Sequence, residues 1–152
     1  MLYPSAKQRL LIFFGGALIV SGGFVWLHTF RQTTDGTVPK AASIGEQTYA
    51  LEIADTDIER AQGLSGRDSL CQECGMLFVF EKPGRYAFWM KDMRFSLDIV
   101  WLLDDTVVFV ARAVSPNISR ILSPAVPADQ VLEVNAGAVE NLEVGERVRF
   151  LY

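Results

Sequence analysis

Leu97-Asp98-Ile99-Val100-Trp101-Leu102-Leu103, followed by Asp104-Asp105 and then by Thr106 to Val114, is the passage that decides the fold class. Two apolar runs separated by two turn-forming residues read as a β-hairpin. The first run is apolar on both faces apart from Asp98, which places it inside a sheet with both faces covered. Upstream, Thr48 to Ala54 alternates, with Tyr49, Leu51 and Ile53 on one face, as a half-buried strand does. Thr56-Asp57-Ile58-Glu59 has capping-box spacing and opens a short helix that Gly63 can close. Ser65 to Cys74 reads as loop. Met76 to Phe80 and Tyr86 to Met90 read as two strands joined through Pro83-Gly84, a pair suited to the middle of a type II turn. Downstream, Ser115 to Ala128 holds Pro116, Pro124 and Pro127 and reads as a long irregular excursion. Gln130 to Val134 is a predicted strand, Asn135 a predicted cap for a short helix through Leu142, and Arg147 to Leu151 the closing strand.

The expected fold is α+β: a mainly antiparallel sheet or partly open barrel of six or seven strands, with two short helices. Neither a Gly-rich phosphate loop after a strand nor βαβ alternation is legible. That argues against a doubly wound nucleotide-binding fold.

A chain of 152 residues has room for one such domain plus an appendage. The appendage is Leu10 to Phe30, which contains no Asp, Glu, Lys or Arg. As a helix it would be roughly 31 Å long, matching a hydrocarbon core of about 30 Å. Lys7 and Arg9 precede it, and Phe24, Trp26, His28 and Phe30 gather at its far end, where aromatic rings favour the membrane interface. It reads as an uncleaved signal anchor, with residues 1–9 cytoplasmic. The alternative is a secretory signal cleaved near Ser21-Gly22-Gly23. Either way the remainder is exported, giving a single-pass protein of the inner or cytoplasmic membrane with an extracytoplasmic domain. The weak flanking charge bias, with Arg31 and Lys40 against Lys7 and Arg9, leaves the inverted topology open. Residues 31–45 are polar and read as a flexible tether, and 46–152 as the globular domain.

From Ala41 onward ten Lys and Arg face seventeen Asp and Glu, a formal charge of −7. Such a domain has no electrostatic footprint for phosphate backbones, so nucleic acid is not an expected partner. The expected partners are the membrane, through the leading helix, and a small molecule, glycan or envelope protein.

Five blocks stand out in order. They are Glu59-Arg60 with Gly63-Leu64 and Arg67; Gly75-Met76-Leu77-Phe78; Phe88-Trp89-Met90-Lys91; Leu97-Asp98-Ile99; and Leu132-Glu133-Val134-Asn135-Ala136-Gly137. Together they resemble the family known as domain of unknown function 192, over about Gln47 to Phe150. The resemblance implies a small β-rich fold, often behind an N-terminal export segment, and supplies no activity, ligand or catalytic residue. Cys71, Cys74 and Met93 depart from the family's pattern.

Cys71-Gln72-Glu73-Cys74 has thioredoxin-like spacing but is followed by Gly75 and a strand, not by the helix that would activate a thiolate. A local disulfide is the favoured reading in an exported domain. Zinc would find only two ligands there, since the sole histidine is His28. Met76, Met90 and Met93 add soft sulfur and keep a copper-handling or thiol protein open, although methionines commonly fill core gaps. A hydrolase could use Glu59 and Asp98 as acid and base, with an arginine holding the developing anion. The plainer account pairs Arg60 or Arg67 with Asp98 or Glu133 as buried ion pairs. No Ser or Cys in the exported part has a histidine partner, which excludes triad chemistry. Tyr86, Phe88 and Trp89 offer stacking surface, with Trp89 on the opposite face from its neighbours and read as core. The candidate ligand-binding set is Glu59, Arg60, Arg67, Trp89, Lys91, Asp98, Glu133 and Asn135, with no catalytic residue, metal ligand or cofactor assigned. The expected role is an extracytoplasmic binding or accessory domain; the hydrolase and the thiol or soft-metal protein are its rivals.

Overall fold

The computed structural model describes residues 38–152. The apolar stretch Leu10 to Phe30, with its flanks through residue 37, lies outside the described residues. Among the described residues seven strands, β1 (Ala41–Ile44), β2 (Gln47–Ala54), β3 (Cys74–Gly84), β4 (Leu97–Leu103), β5 (Thr106–Val114), β6 (Ala128–Asn135) and β7 (Arg149–Leu151), build one sheet, with one helix, α1 (Asp57–Gln62). The strand order is β5-β4-β6-β3-β2-β1-β7. Neighbours are antiparallel except β2 and β3, which run parallel. Parallel neighbours need a crossover, and α1 with the loop after it supplies one. A single βαβ-like unit is therefore present where the sequence showed none.

The sheet curls into a half-barrel, and the chain end spans its two edges. β7 pairs with β1 at one edge. Just before it, Gly145 N donates to Val107 O at 2.8 Å, Val107 N to Glu146 O at 2.8 Å, and Val148 N to Asp105 O at 2.9 Å, tying the same segment to β5. The concave side holds one apolar cluster, with Tyr49, Leu77, Val100, Leu102, Leu132, Val134 and Val148. The convex side holds a second, with Leu64, Phe78, Met90, Leu97, Ile99, Trp101, Leu122 and Val131. β4 feeds both clusters, and Leu97 to Leu102 is buried throughout. This is the physical basis of its two-sided apolar pattern. The β4–β5 hairpin turns at Asp104 and Asp105, both at positive φ (50° and 64°), as a two-residue hairpin turn of matching twist requires.

Three expectations are corrected. Ala41–Ile44, assigned above to the tether, is β1; its small residues Ala42 and Ser43 are buried against β2 and β7, so pairing rather than hydrophobicity makes the strand. Tyr86 to Met90 does not pair with β3. Instead β3 runs on through Pro83 to Gly84, and Phe88 exchanges two 2.8 Å backbone hydrogen bonds with Leu122 from the proline-rich excursion. The segment after Asn135 makes turns rather than a second helix, because its amides are drawn to the Asp98 carboxylate described below.

α1 follows the capping box closely. Thr56 Oγ1 accepts from Glu59 N at 3.2 Å while Glu59 Oε2 accepts from Thr56 N at 3.1 Å. Gly63 ends the helix at φ +49°, and a Cβ there would lie 3.3 Å from the Phe78 ring. Leu64 then plugs the convex core at 1 % exposure. Gly75 has a different reason: a Cβ on it would come within 3.0 Å of Glu133 O, because β3 and β6 pack closely at that pair.

Candidate functional site

The sequence candidates separate once strand register is known. Asp98 pairs with Val134 across β4 and β6, whereas Glu133 pairs with Ile99. Since neighbours in register share a face, Asp98 belongs to the concave side and Glu133 to the convex side. They form no common site.

Asp98 is a structural pin. It is 1 % exposed, and three backbone amides donate to it: Ala113 N at 2.7 Å, Gly137 N at 2.9 Å and Val139 N at 3.2 Å. Ala113 sits at φ +48° within a register shift of β5, so the carboxylate holds a bulge and the turn after β6 together. Arg112 closes the same corner by donating to the Val139 and Leu142 carbonyls. Asn135 donates from Nδ2 to Leu70 O (3.2 Å) and Cys71 O (2.9 Å), anchoring the loop that carries the Cys71–Cys74 disulfide. With both sulfurs bonded to each other, neither is a thiolate ligand for a metal in this state. Met76 and Met90 are buried in the convex core with Met93 packed against it. The turn at Asp92 (φ +57°) folds Met90 and Met93 to the same side, where an extended chain would have opposed them. Among the described residues, no three His, Cys, Asp or Glu side chains converge as a metal site.

The arginines do not reach the buried acids. Arg67 forms a bidentate pair with Glu52 on β2, at 2.5 and 2.8 Å, which holds the Glu52 carboxyl below its ordinary value. Arg60 Nη1 donates to Asp55 O (2.5 Å) and Val79 O (2.8 Å), and Nη2 to Asp57 (2.6 Å), while the guanidinium lies 5.3 Å over the Phe80 ring. It staples α1 to β3. Glu59 is fully engaged in the helix cap, whose bonds keep its carboxyl ionised to lower pH than usual. Lys91 is exposed, and its carbonyl accepts from Ser65 Oγ at 3.0 Å. Glu59 and Asp98 thus serve the fold on separate elements, and the acid–base pair suggested for a hydrolase is not assembled.

A different set comes together on the convex side. Trp101 Nε1 donates to Tyr86 O at 2.9 Å, and Phe88 wedges edge-on against Phe78 (4.9 Å) and Trp101 (5.7 Å). Tyr86 stacks on Phe80 with ring centres 3.5 Å apart. These contacts replace the missing hairpin and hold residues 86–89 as one wall of a trough of about 220 Å³. Its other walls are Phe78, Phe80, Arg60 and Ala61. Trp89, expected in the core, is 57 % exposed and forms the rim. A smaller well of about 30 Å³ adjoins the trough; it shares Arg60, Ala61, Phe78, Phe88 and Trp89 and adds Ser65, Met93 and Glu133.

Glu133 is the chemical centre of this arrangement. It is 5 % exposed, and among the described residues its carboxyl has no hydrogen-bond or ion-pair partner, yet its oxygens still touch solvent: the fully sealed side-chain atom there without a partner is Gln130 Oε1. Burial alone pushes it from an ordinary 4.5 up to about 8, so that at neutral pH it is mostly a protonated acid. It is also the only carboxyl among the described residues lining trough and well. A perturbed acid facing an aromatic recess is the usual mark of a binding or reactive site. A larger hollow of about 600 Å³ borders β5, but its arginine side chain nearest the fold, Arg112, is engaged with carbonyls and no buried titratable group faces it.

Of the candidate residues, Trp89, Glu133 and Arg60 meet here; Glu59, Arg67, Lys91, Asp98 and Asn135 do not line the trough. Phe78, Phe80 and Met93 were not in the ligand set. The alternation Met76, Phe78, Phe80 carried a signal for the first two, since Phe78 and Phe80 point to the same face as Met76.

Fold and site define a small β-rich half-barrel domain with an aromatic trough beside one buried carboxyl. The chain belongs to the DUF192 family, described as an uncharacterised ACR, which it matches over residues 40–150. No curated protein matches it. Two crystal structures are similar. One, from Sinorhizobium meliloti 1021, is of a protein described as a candidate transcription regulator: 26% identity, TM-score 0.67, covering 76% of this chain and 98% of that one. The other is a protein of unknown function from Novosphingobium aromaticivorans DSM 12444, with 30% identity and TM-score 0.67, covering 78% of this chain and 89% of that one.

Proposed function

We propose that the protein is a membrane-tethered ligand-binding or accessory domain acting outside the cytoplasm, and that its ligand enters the trough between Trp89 and Glu133. One observation carries the binding role: an exposed tryptophan lines two adjoining hollows, one of them also lined by a buried carboxyl that has no partner among the described residues. Folding alone gives no reason to bury such a group, which costs free energy unless something bonds to it. A ligand gives one. The absence of a second carboxyl in the described lining favours binding over acid–base hydrolysis, which needs two groups in complementary states. The formal charge of −7 from Ala41 onward disfavours a nucleic-acid partner. Leu10 to Phe30 supports the tether, and the Cys71–Cys74 disulfide suits an oxidising compartment.

Two measurements test this. Trp89→Ala in the full-length chain is expected to weaken capture of the co-purifying ligand, or of any hit from a glycan and metabolite panel, by at least about tenfold, with the unfolding midpoint unchanged. Wild-type affinity in the variant would remove the trough from consideration. For topology, a periplasm-active reporter fused after Tyr152 is expected to be active; a well-expressed but inactive fusion would reverse the placement.

A further inference from the structure

We propose that the trough recognises a primary alkylammonium group, the ammonium seated in the well against Glu133 and its methylene chain lying along Phe88 and Trp89. This rests on the trough being the ligand site.

Four observations point to a cation of this shape. The Glu133 carboxyl is 5 % exposed and unpartnered among the described residues, so the strongest complement it could receive is a positively charged donor. The walls around it are Phe78, Phe88 and Trp89, whose ring faces attract cations, above all when water is excluded. The surrounding domain carries a formal charge of −7, which concentrates cations near its surface. Donor chemistry narrows the choice. A primary ammonium brings N–H donors to the carboxylate, which a tetraalkylammonium lacks, and the trough of about 220 Å³ has room for several methylenes.

Arg60 is the one cation among the described residues of the lining, and it does not make this an anion site. Three of its donor contacts go to Asp57, Asp55 O and Val79 O, and its plane covers Phe80. Apart from Arg60 on α1, the groups facing Glu133 from the other elements are uncharged: Met76 and Ile99 are its cross-strand neighbours on β3 and β4, and the well is completed by Gln62, Ser65, Trp89 and Met93.

In the empty protein the Glu133 O–H bond is intact at neutral pH. Seating the ammonium breaks that bond, releases one proton to solvent, and forms an N–H···O ion pair. A primary amine stays protonated up to about pH 10. Affinity should therefore climb about tenfold per pH unit up to about pH 8 and then level off.

The test uses the full-length chain in lipid nanodiscs, labelled with 5-fluorotryptophan, the Trp89 resonance being assigned by its loss in Trp89→Phe. The probes are n-butylammonium, Nα-acetyl-lysine amide, tetramethylammonium and n-butanol. Butylammonium or the lysine amide is expected to shift the Trp89 signal at least tenfold more tightly at pH 8 than at pH 6, whichever is tighter marking a free amine or a peptide side chain as the source. Tetramethylammonium and butanol should bind at least tenfold more weakly. Glu133→Gln should weaken the amine at least tenfold at pH 8 and flatten its pH dependence, while leaving the other two fluorine signals in place. Butanol binding as tightly as butylammonium, or amine affinity falling between pH 6 and 8, would overturn the amine while leaving the site intact. A Trp89 signal that no probe moves would overturn both.

Discussion

Asp98→Ala is expected to destabilise the domain by about 3–6 kcal/mol, because three buried backbone amides lose a charged acceptor at once. Small domains are stable by only about 5–15 kcal/mol, so the variant should be near or beyond the edge of folding. The damage is concentrated at one corner: the β5 bulge at Ala113 and the turn through Gly137 and Val139 would separate from β4. Asp98→Asn keeps one accepting oxygen and presents a donor to the remaining amides, so it should recover no more than about half of the loss. Urea unfolding followed by circular dichroism measures both. An alanine variant whose midpoint equals that of the wild type would show that the carboxylate does not organise this corner.

The second large effect is pH-dependent and has the opposite sign. Glu133 titrates near 4.5 when unfolded and near 8 in the folded domain. Below about pH 4.5 it is neutral in both states and burial costs no charge. As pH rises from there toward 8, the unfolded chain releases the proton while the folded one keeps it. The folded state therefore loses up to about 1.4 kcal/mol per pH unit, several kcal/mol in all, and levels off above pH 8. Glu133→Gln keeps the side-chain shape and removes the titration. It should match the wild type near pH 4.5 and exceed it by several kcal/mol at pH 8.5. Glu52, held low by Arg67, acts in the other direction, losing its contribution as pH falls, and cancels when variant and wild type are compared. Parallel stability curves for the two proteins between pH 4.5 and 8.5 would mean that Glu133 is not buried as a neutral acid.

These two acids show why the site was only partly legible. Both sit in apolar strands, and along the chain nothing separates Leu97-Asp98-Ile99 from Leu132-Glu133-Val134. Three-dimensionally, one is wrapped by amides and the other faces an aromatic recess. Trp89 was misplaced for a related reason. Alternation along Tyr86 to Met90 assigns faces only relative to a partner strand, and the expected partner β3 is not the one that residue 88 bonds.

Local physics was enough for the rest. The capping box at Thr56, the two-residue turn at Asp104-Asp105, the two-sided burial of β4 and the proline-rich excursion each depend on residues within a few positions of one another, so the amino-acid order alone determined them. Strand register, the parallel β2–β3 pair, the edge-spanning course of residues 145–151 and the partner of every buried charge depend on contacts between distant segments. Only tertiary structure decided those, because a one-residue slip in pairing exchanges the faces of a strand and, with them, the roles of Asp98 and Glu133.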